Sequence, residues 1–149
     1  MSDRIAVIGA GQMGNGIAHV FAQNGFPVTM IDVSAQALNL GRSTIEKNLD
    51  RQVTKGTLDE AAKNATLSRI SQSSDIGAVG DATLVIEAAT ENVELKYRIF
   101  GDMDRLASAD AILATNTSSI SITSIAARTT RPEQVIGMHF MNPVPVMQL

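Results

Sequence analysis

Three glycines and one carboxylate near the start of the chain have the types and spacing of a dinucleotide site. Gly9, Gly11 and Gly14 stand at G-x-G-x-x-G spacing in the run Gly9-Ala-Gly-Gln-Met-Gly14. In that pattern the first glycine makes a tight turn and the second lets a pyrophosphate approach the backbone. The third lets a helix pack close to a strand. The helix that follows turns free N–H groups and the positive end of its dipole toward the phosphates. Asp32 comes 23 residues after Gly9, near the spacing of an acid that binds an adenosine ribose. Such a carboxylate accepts from the 2′- and 3′-hydroxyls and repels a 2′-phosphate, so NAD is favoured over NADP. The alternative is a glycine-rich turn without a ligand, with Asp32 as a helix cap; the register of all the parts weighs against it.

These residues need a scaffold, and the hydrophobic pattern supplies one. Ile5 to Ile8 is an apolar run of strand length. Met13, Ile17 and Phe21 then recur every fourth residue, and Gly25 is a helix stop. Pro27 to Ile31 reads as a second strand ending at Asp32. Ser34 suits the N-cap of a long helix to about Lys55, closed by Gly56. Thr57-Leu-Asp-Glu60 matches a capping box that starts a second short helix. Leu67 to Ser71 reads as a polar edge strand and Asp75 to Val79 as a helical turn. Ala82 to Ala89 is a buried strand of the parallel type. Leu95, Ile99, Met103 and Leu106 mark a helix. Ala111 to Ala114 and Gln134 to His139 are further strands, with Ile120 to Ala127 helical between them. The alternation predicts an α/β, Rossmann-type, doubly wound and mostly parallel sheet with an inserted helical hairpin. Ligands of such sheets bind beyond the carboxyl ends of the strands. Those ends carry Gly9 to Gly14, Asp32, Glu87 to Glu91, Asn116 to Ser119 and His139 to Asn142, which converge on one crevice.

Bulk properties narrow the classes. The 149 residues suffice for one domain with a real core. A net charge of −3 suggests neither a nucleic-acid binder nor a polybasic membrane binder. The absence of cysteine excludes disulfides, thiolate metal sites and cysteine nucleophiles. No apolar run approaches membrane-spanning length, and no signal-peptide pattern precedes the first strand, so a cytoplasmic protein is expected. Pro143 to Leu149 ends the chain in an apolar run, as expected of a piece of a longer protein. Lys47, Arg51 and Lys55 form a basic stripe near the end of the long helix. It reads equally as a solvated surface complementing the helix dipole or as a seat for an anionic ligand.

Asn116-Thr-Ser-Ser119 and Gly137-Met-His-Phe-Met-Asn-Pro-Val-Pro145, taken with Gly9 to Gly14 and Glu87-Ala-Ala-Thr-Glu-Asn92, closely resemble the 3-hydroxyacyl-CoA dehydrogenase family. Within that family the likeness is to its bacterial 3-hydroxybutyryl-CoA branch. It covers the whole chain, and the two later motifs are specific to the family. The resemblance implies hydride transfer between C3 of a (3S)-3-hydroxyacyl-CoA and NAD. The chemistry agrees: oxidising an alcohol needs a base for the hydroxyl proton, and imidazole titrates near operating pH. By the match His139 is that base, Ser118 hydrogen-bonds the substrate oxygen, and Asn116 and Asn142 line the nicotinamide end. Ser119 is the bland neighbour, a cap for the next helix. Gly9, Ala10, Gly11, Gln12, Met13, Gly14 and Asp32 would hold the rest of the cofactor. Glu91 and Lys96 match positions near the nicotinamide ribose, the alternative being a surface ion pair at a helix start. Lys55 matches a lysine that meets the CoA phosphates, with Asn48 and Arg51 beside it. His19, inside the first helix, is expected to be structural, and no metal site is expected. The family also has a glutamate shortly after position 149 that orients the histidine, and a helical C-terminal domain that forms a homodimer. Neither is within these residues, so the chain is expected to bind NAD and to turn over slowly or not at all. Two competing readings are a non-catalytic NAD-binding module and a dehydrogenase of free hydroxy acids. The intact Ser118, His139 and Asn142 oppose the first, and the basic hairpin opposes the second.

Overall fold

The computed structural model describes residues 3–145. The apolar run after Arg4 forms β1 (Ile5–Ile8), and α1 (Gln12–Gln23) follows the glycine loop. β2 (Val28–Ile31) leads into α2 (Ala35–Lys55), whose ends are set by Ser34 as N-cap and by Gly56 in the left-handed region. Next come α3 (Glu60–Ser68), β3 (Ile70–Ser73) and a 3₁₀ turn (Ile76–Asp81). β4 (Leu84–Glu87), α4 (Val93–Leu106), β5 (Ile112–Thr115), α5 (Ile122–Ala126), a 3₁₀ turn (Pro132–Gln134) and β6 (Val135–Gly137) complete the order. The strands form one sheet in the order β3-β2-β1-β4-β5-β6, and every pairing is parallel. This is the order of the doubly wound dinucleotide fold, with its switch point between β1 and β4.

Both faces of the sheet are covered, so strand side chains feed two cores in alternation. Val7, Met30 and Ile86 meet Ile17 of α1 and Ile45 and Leu49 of α2 on one face. Ala6, Ile8 and Val85 meet Ile99, Phe100 and Met103 of α4 and Ile125 of α5 on the other. The hairpin α2–α3 is docked along much of its length: α2 buries Leu38, Gly41, Ile45 and Leu49.

Two local expectations are corrected. The polar edge strand read at Leu67 to Ser71 is present but starts three residues later: α3 runs to Ser68, Arg69 ends it, and β3 begins at Ile70 at the edge of the sheet. Leu67 packs on the core from the last helical turn, which short alternation cannot distinguish from a strand. Thr57 is not the cap of α3. Asp59 caps it by accepting from Ala62 N at 2.7 Å, while the Thr57 hydroxyl donates to Gln52 O at the end of α2. The apolar end read at 146–149 lies outside the described residues.

His19 is fully buried in α1, its Nε2–H donating to Gln23 Oε1 at 2.8 Å. Among the described residues its Nδ1 has no partner. Burial holds its pKa below the usual 6.5, against the opposing effect of the Gln23 bond. The folded state therefore favours the neutral ring and unfolding takes up a proton. Stability from this site is full above about pH 6.5 and declines as pH falls from there toward the folded-state pKa. Thermal melts between about pH 7 and about pH 5 should show that decline, and His19→Gln should flatten it.

Candidate cofactor and substrate site

The glycine loop is built by steric necessity. Gly9 has φ +110°, and a Cβ there would lie 2.6 Å from Ala88 O. A Cβ on Gly14 would lie 1.9 Å from Gly9 O, so α1 can start this close to β1 only with glycine at that position. Gly11 differs: a Cβ there would meet nothing within 4 Å. The space over Gly11 is open on the side where a pyrophosphate would approach, and α1 starts there without a side-chain cap. Ala10 N donates to Asp32 Oδ2 and Ser34 N to Asp32 Oδ1, both at 3.0 Å. Those bonds fix the carboxylate at the end of β2 beside the loop. A cleft of about 780 Å³ opens next to them, lined by Gly9, Gly11, Asp32, Val33, Ala89 and Leu95 among others. Its apolar wall, with the Asp32 carboxylate fixed at the end of β2, suits an adenosine. The residues therefore fit a bound dinucleotide, with Ala10, Gln12 and Met13 in the loop and first turn that would face the phosphates.

The far end of the crevice rests on a buried charge network. Glu87, the last residue of β4, is fully buried. It accepts from Thr115 Oγ1 at 2.7 Å, Lys96 Nζ at 2.6 Å and Ala89 N at 2.8 Å. Lys96 also donates to Ala89 O at 3.2 Å and pairs with Glu91 Oε1 at 3.3 Å. The other Glu91 oxygen accepts from Thr117 Oγ1 at 2.6 Å and Ser119 Oγ at 2.7 Å. Partial burial works against the Glu91 charge, but the two hydroxyls and Lys96 outweigh it and hold the carboxyl below its ordinary pKa. Two expectations change here. The Lys96 pair is not a surface ion pair, since Lys96 is fully buried and also donates to Glu87 and Ala89 O. Ser119 does not cap α5; Ser121 does, accepting from Ser124 N at 3.2 Å.

The segment after β6 closes over this end. Met138 N donates to Thr115 O, and Phe140 N donates to Asn116 Oδ1, both at 2.8 Å. His139 lies between those two tethers. Phe140 is buried edge-on against Phe21 of α1 at 6.3 Å between centroids. Val144 packs on Gly16, where an added Cβ would sit 2.9 Å away. His139, Ser118 and Asn142 are exposed. The structure thus joins the Ser118 loop and the His139 segment at one strand end. Sequence reasoning did not single out Glu87, Thr117, Phe140 or Val144 for this role; a charged residue closing an apolar strand was the one available signal, at Glu87.

Asn48, Arg51 and Lys55 are not joined to the strand-end group. Gly41 of α2 lies against Ala10, and these three follow along the helix axis, about 10–20 Å further on at 1.5 Å per residue. Arg51 Nη1 donates to Asn48 Oδ1 at 3.2 Å. Lys47, Arg51 and Lys55 are exposed, and none forms an ion pair among the described residues.

A family model described as 3-hydroxyacyl-CoA dehydrogenase, NAD binding domain, matches residues 4–149. The chain is 53% identical to the 3-hydroxybutyryl-CoA dehydrogenase of Bradyrhizobium diazoefficiens, over 98% of this chain and 50% of that protein. It is 46% identical to the 3-hydroxyadipyl-CoA dehydrogenase of Escherichia coli, over 97% of this chain and 30% of that protein. The crystal structure of (S)-3-hydroxybutyryl-CoA dehydrogenase from Ralstonia eutropha superposes with a TM-score of 0.97 at 46% identity, covering 100% of this chain and 53% of that one. The chain spans about half the length of the curated 3-hydroxybutyryl-CoA dehydrogenases it matches.

Proposed function

The chain belongs to the 3-hydroxyacyl-CoA dehydrogenase family, and on that premise we propose that it forms the cofactor-binding part of an enzyme that interconverts a (3S)-3-hydroxyacyl-CoA, 3-hydroxybutyryl-CoA foremost, with its 3-oxoacyl-CoA. The cofactor is NAD. When bound, it accepts the hydride that leaves C3. Asp32 accepts from the adenosine ribose, the N–H groups from Gly11 to Met13 face the pyrophosphate beside Ala10, and Glu91 serves the nicotinamide ribose. Ser118 donates to the substrate oxygen, and His139 takes the hydroxyl proton in oxidation and returns it in reduction. Asn116 and Asn142 border the nicotinamide end, and Lys55, Asn48 and Arg51 serve the CoA phosphates. The single observation that carries the reading is the Phe140–Asn116 bond, which holds the histidine segment against the serine loop. A cytoplasmic location and a homodimer formed through a C-terminal domain belong to the same proposal. No helix among the described residues is long and apolar enough to cross a membrane.

The test follows NADH fluorescence on the 149-residue chain and then adds acetoacetyl-CoA or free acetoacetate. A response to the CoA ester alone supports the reading; equal responses would move it to a free-acid dehydrogenase. Turnover of acetoacetyl-CoA by this chain should be slow or undetectable. The His139 ring is exposed, and no carboxylate bonds it among the described residues, so it lacks tautomer control worth orders of magnitude in triad-type sites. Near-normal turnover would refute that expectation. Asp32→Ala should weaken NADH binding by roughly 10- to 100-fold, as expected when hydrogen bonds to a charged group are lost. The same variant should narrow the gap between NADH and NADPH affinity, because the repulsion of a 2′-phosphate goes with the carboxylate.

A further inference from the structure

We propose that Glu87 is a positioning residue of the cofactor site: through Lys96 it fixes the Glu91 carboxylate, which Thr117 and Ser119 tie to the loop carrying Ser118. The inference rests on the reading that Glu91 serves the nicotinamide ribose, and it explains why a fully buried carboxylate ends β4. A buried ion pair is a weak source of stability, so the three bonds converging on Glu87 call for another account. Those bonds join three pieces of backbone: Thr115 at the end of β5, Ala89 in the loop after β4, and Lys96 in the first turn of α4. Lys96 is sealed from a ligand by its own burial. It donates to Glu87 and to Ala89 O and pairs with Glu91. Its effect on a cofactor therefore passes through Glu91. That carboxylate is about half exposed, unlike the other two members. One Glu91 oxygen is filled by the Thr117 and Ser119 hydroxyls. The other faces Lys96 and keeps acceptor capacity, since a carboxylate offers about four lone-pair sites. A ribose diol would find that oxygen already aimed. Ser118 lies between the two residues bound to the same carboxylate, so cofactor grip and the aim of the substrate-binding hydroxyl share one anchor.

The test uses half-cofactors on the 149-residue chain. ADP engages the glycine loop and Asp32; ADP-ribose adds the second ribose. The wild-type chain should bind ADP-ribose at least about tenfold more tightly than ADP, the scale of charge-assisted hydrogen bonds. Glu87→Gln with Lys96→Met removes both buried charges together and so keeps a neutral interior. In that double variant the ADP-ribose advantage should shrink to within about twofold while ADP affinity is unchanged, the loss of a contact worth roughly that tenfold. Thr117→Val with Ser119→Ala changes no charge and should reduce the same advantage several-fold at constant ADP affinity, which keeps the test open should the first variant fail to fold. A variant with wild-type ADP affinity and an undiminished advantage overturns the positioning role. Absence of any advantage in the wild-type chain overturns it differently, by removing the ribose contact of Glu91 on which it rests.

Discussion

Gly11→Ala is expected to leave the domain folded and to cut NADH affinity by about 100-fold, close to 2.7 kcal/mol. Gly11 has φ −69°, a value any residue adopts, and its added methyl would touch no protein atom within 4 Å. The methyl would instead occupy the space that a pyrophosphate needs. Its cost to stability should stay near that of replacing a glycine at an N-cap, below about 1 kcal/mol. Gly14→Ala should do the reverse in order of events. Its methyl would lie 1.9 Å from a backbone oxygen of Gly9, and a backbone atom cannot rotate away. The helix must shift off the strand, at a cost of several kcal/mol. Urea titration beside NADH titration separates the two. Equal loss of stability in both variants would mean that the open space at Gly11 belongs to the fold and not to a ligand.

Lys96→Met should be among the most destabilising single changes in the chain, at about 3–5 kcal/mol. It would strand the Glu87 carboxylate in the interior, with Thr115 Oγ1 and Ala89 N as its remaining donors. Whole domains hold only about 5–15 kcal/mol of net stability, so a large part of the chain's margin would go. Adding Glu87→Gln to the same protein should recover most of the loss, because the penalty comes from the unpaired charge and not from missing packing. Urea midpoints of the two single variants and the double variant measure this. A double variant no more stable than Lys96→Met would show that the cavity and geometry, not the charge, set the cost.

Much of this fold is legible because parallel strands buried on both faces are written as unbroken apolar runs. Ile5 to Ile8 and Leu84 to Glu87 lie inside the predicted spans, and the caps at Ser34 and Gly56 match. The glycine loop and Asp32 are legible because backbone sterics demand particular residues at fixed spacing. Where signals are short and compete, the reading slips. Thr57 and Asp59 are both good caps, and only the packing of α3 against its neighbours decides between them. Leu67 alternates with polar residues, yet α3 runs through it to Ser68 because α1 offers an apolar surface. The least legible part is what side chains do to one another across the sheet top. Nothing in the spacing of Glu87, Lys96 and Glu91 says which of them is sealed from water. That depends on how α4 folds back over β4, a tertiary fact. Ser119 is the same case: two serines stand close to the start of α5, and the carboxylate across the loop claims one of them.

The return of the chain from β6 to α1 makes that helix a fixed strut. Its first turn grows out of the glycine loop, and its flank receives Phe140 and Val144, which bracket residues 141–143 just after His139. The span between the glycine loop and His139 is thereby machined into the protein before any ligand arrives. A bulkier residue at position 16 would push on that gauge from the rear, and misalign the chemistry without touching a reacting atom.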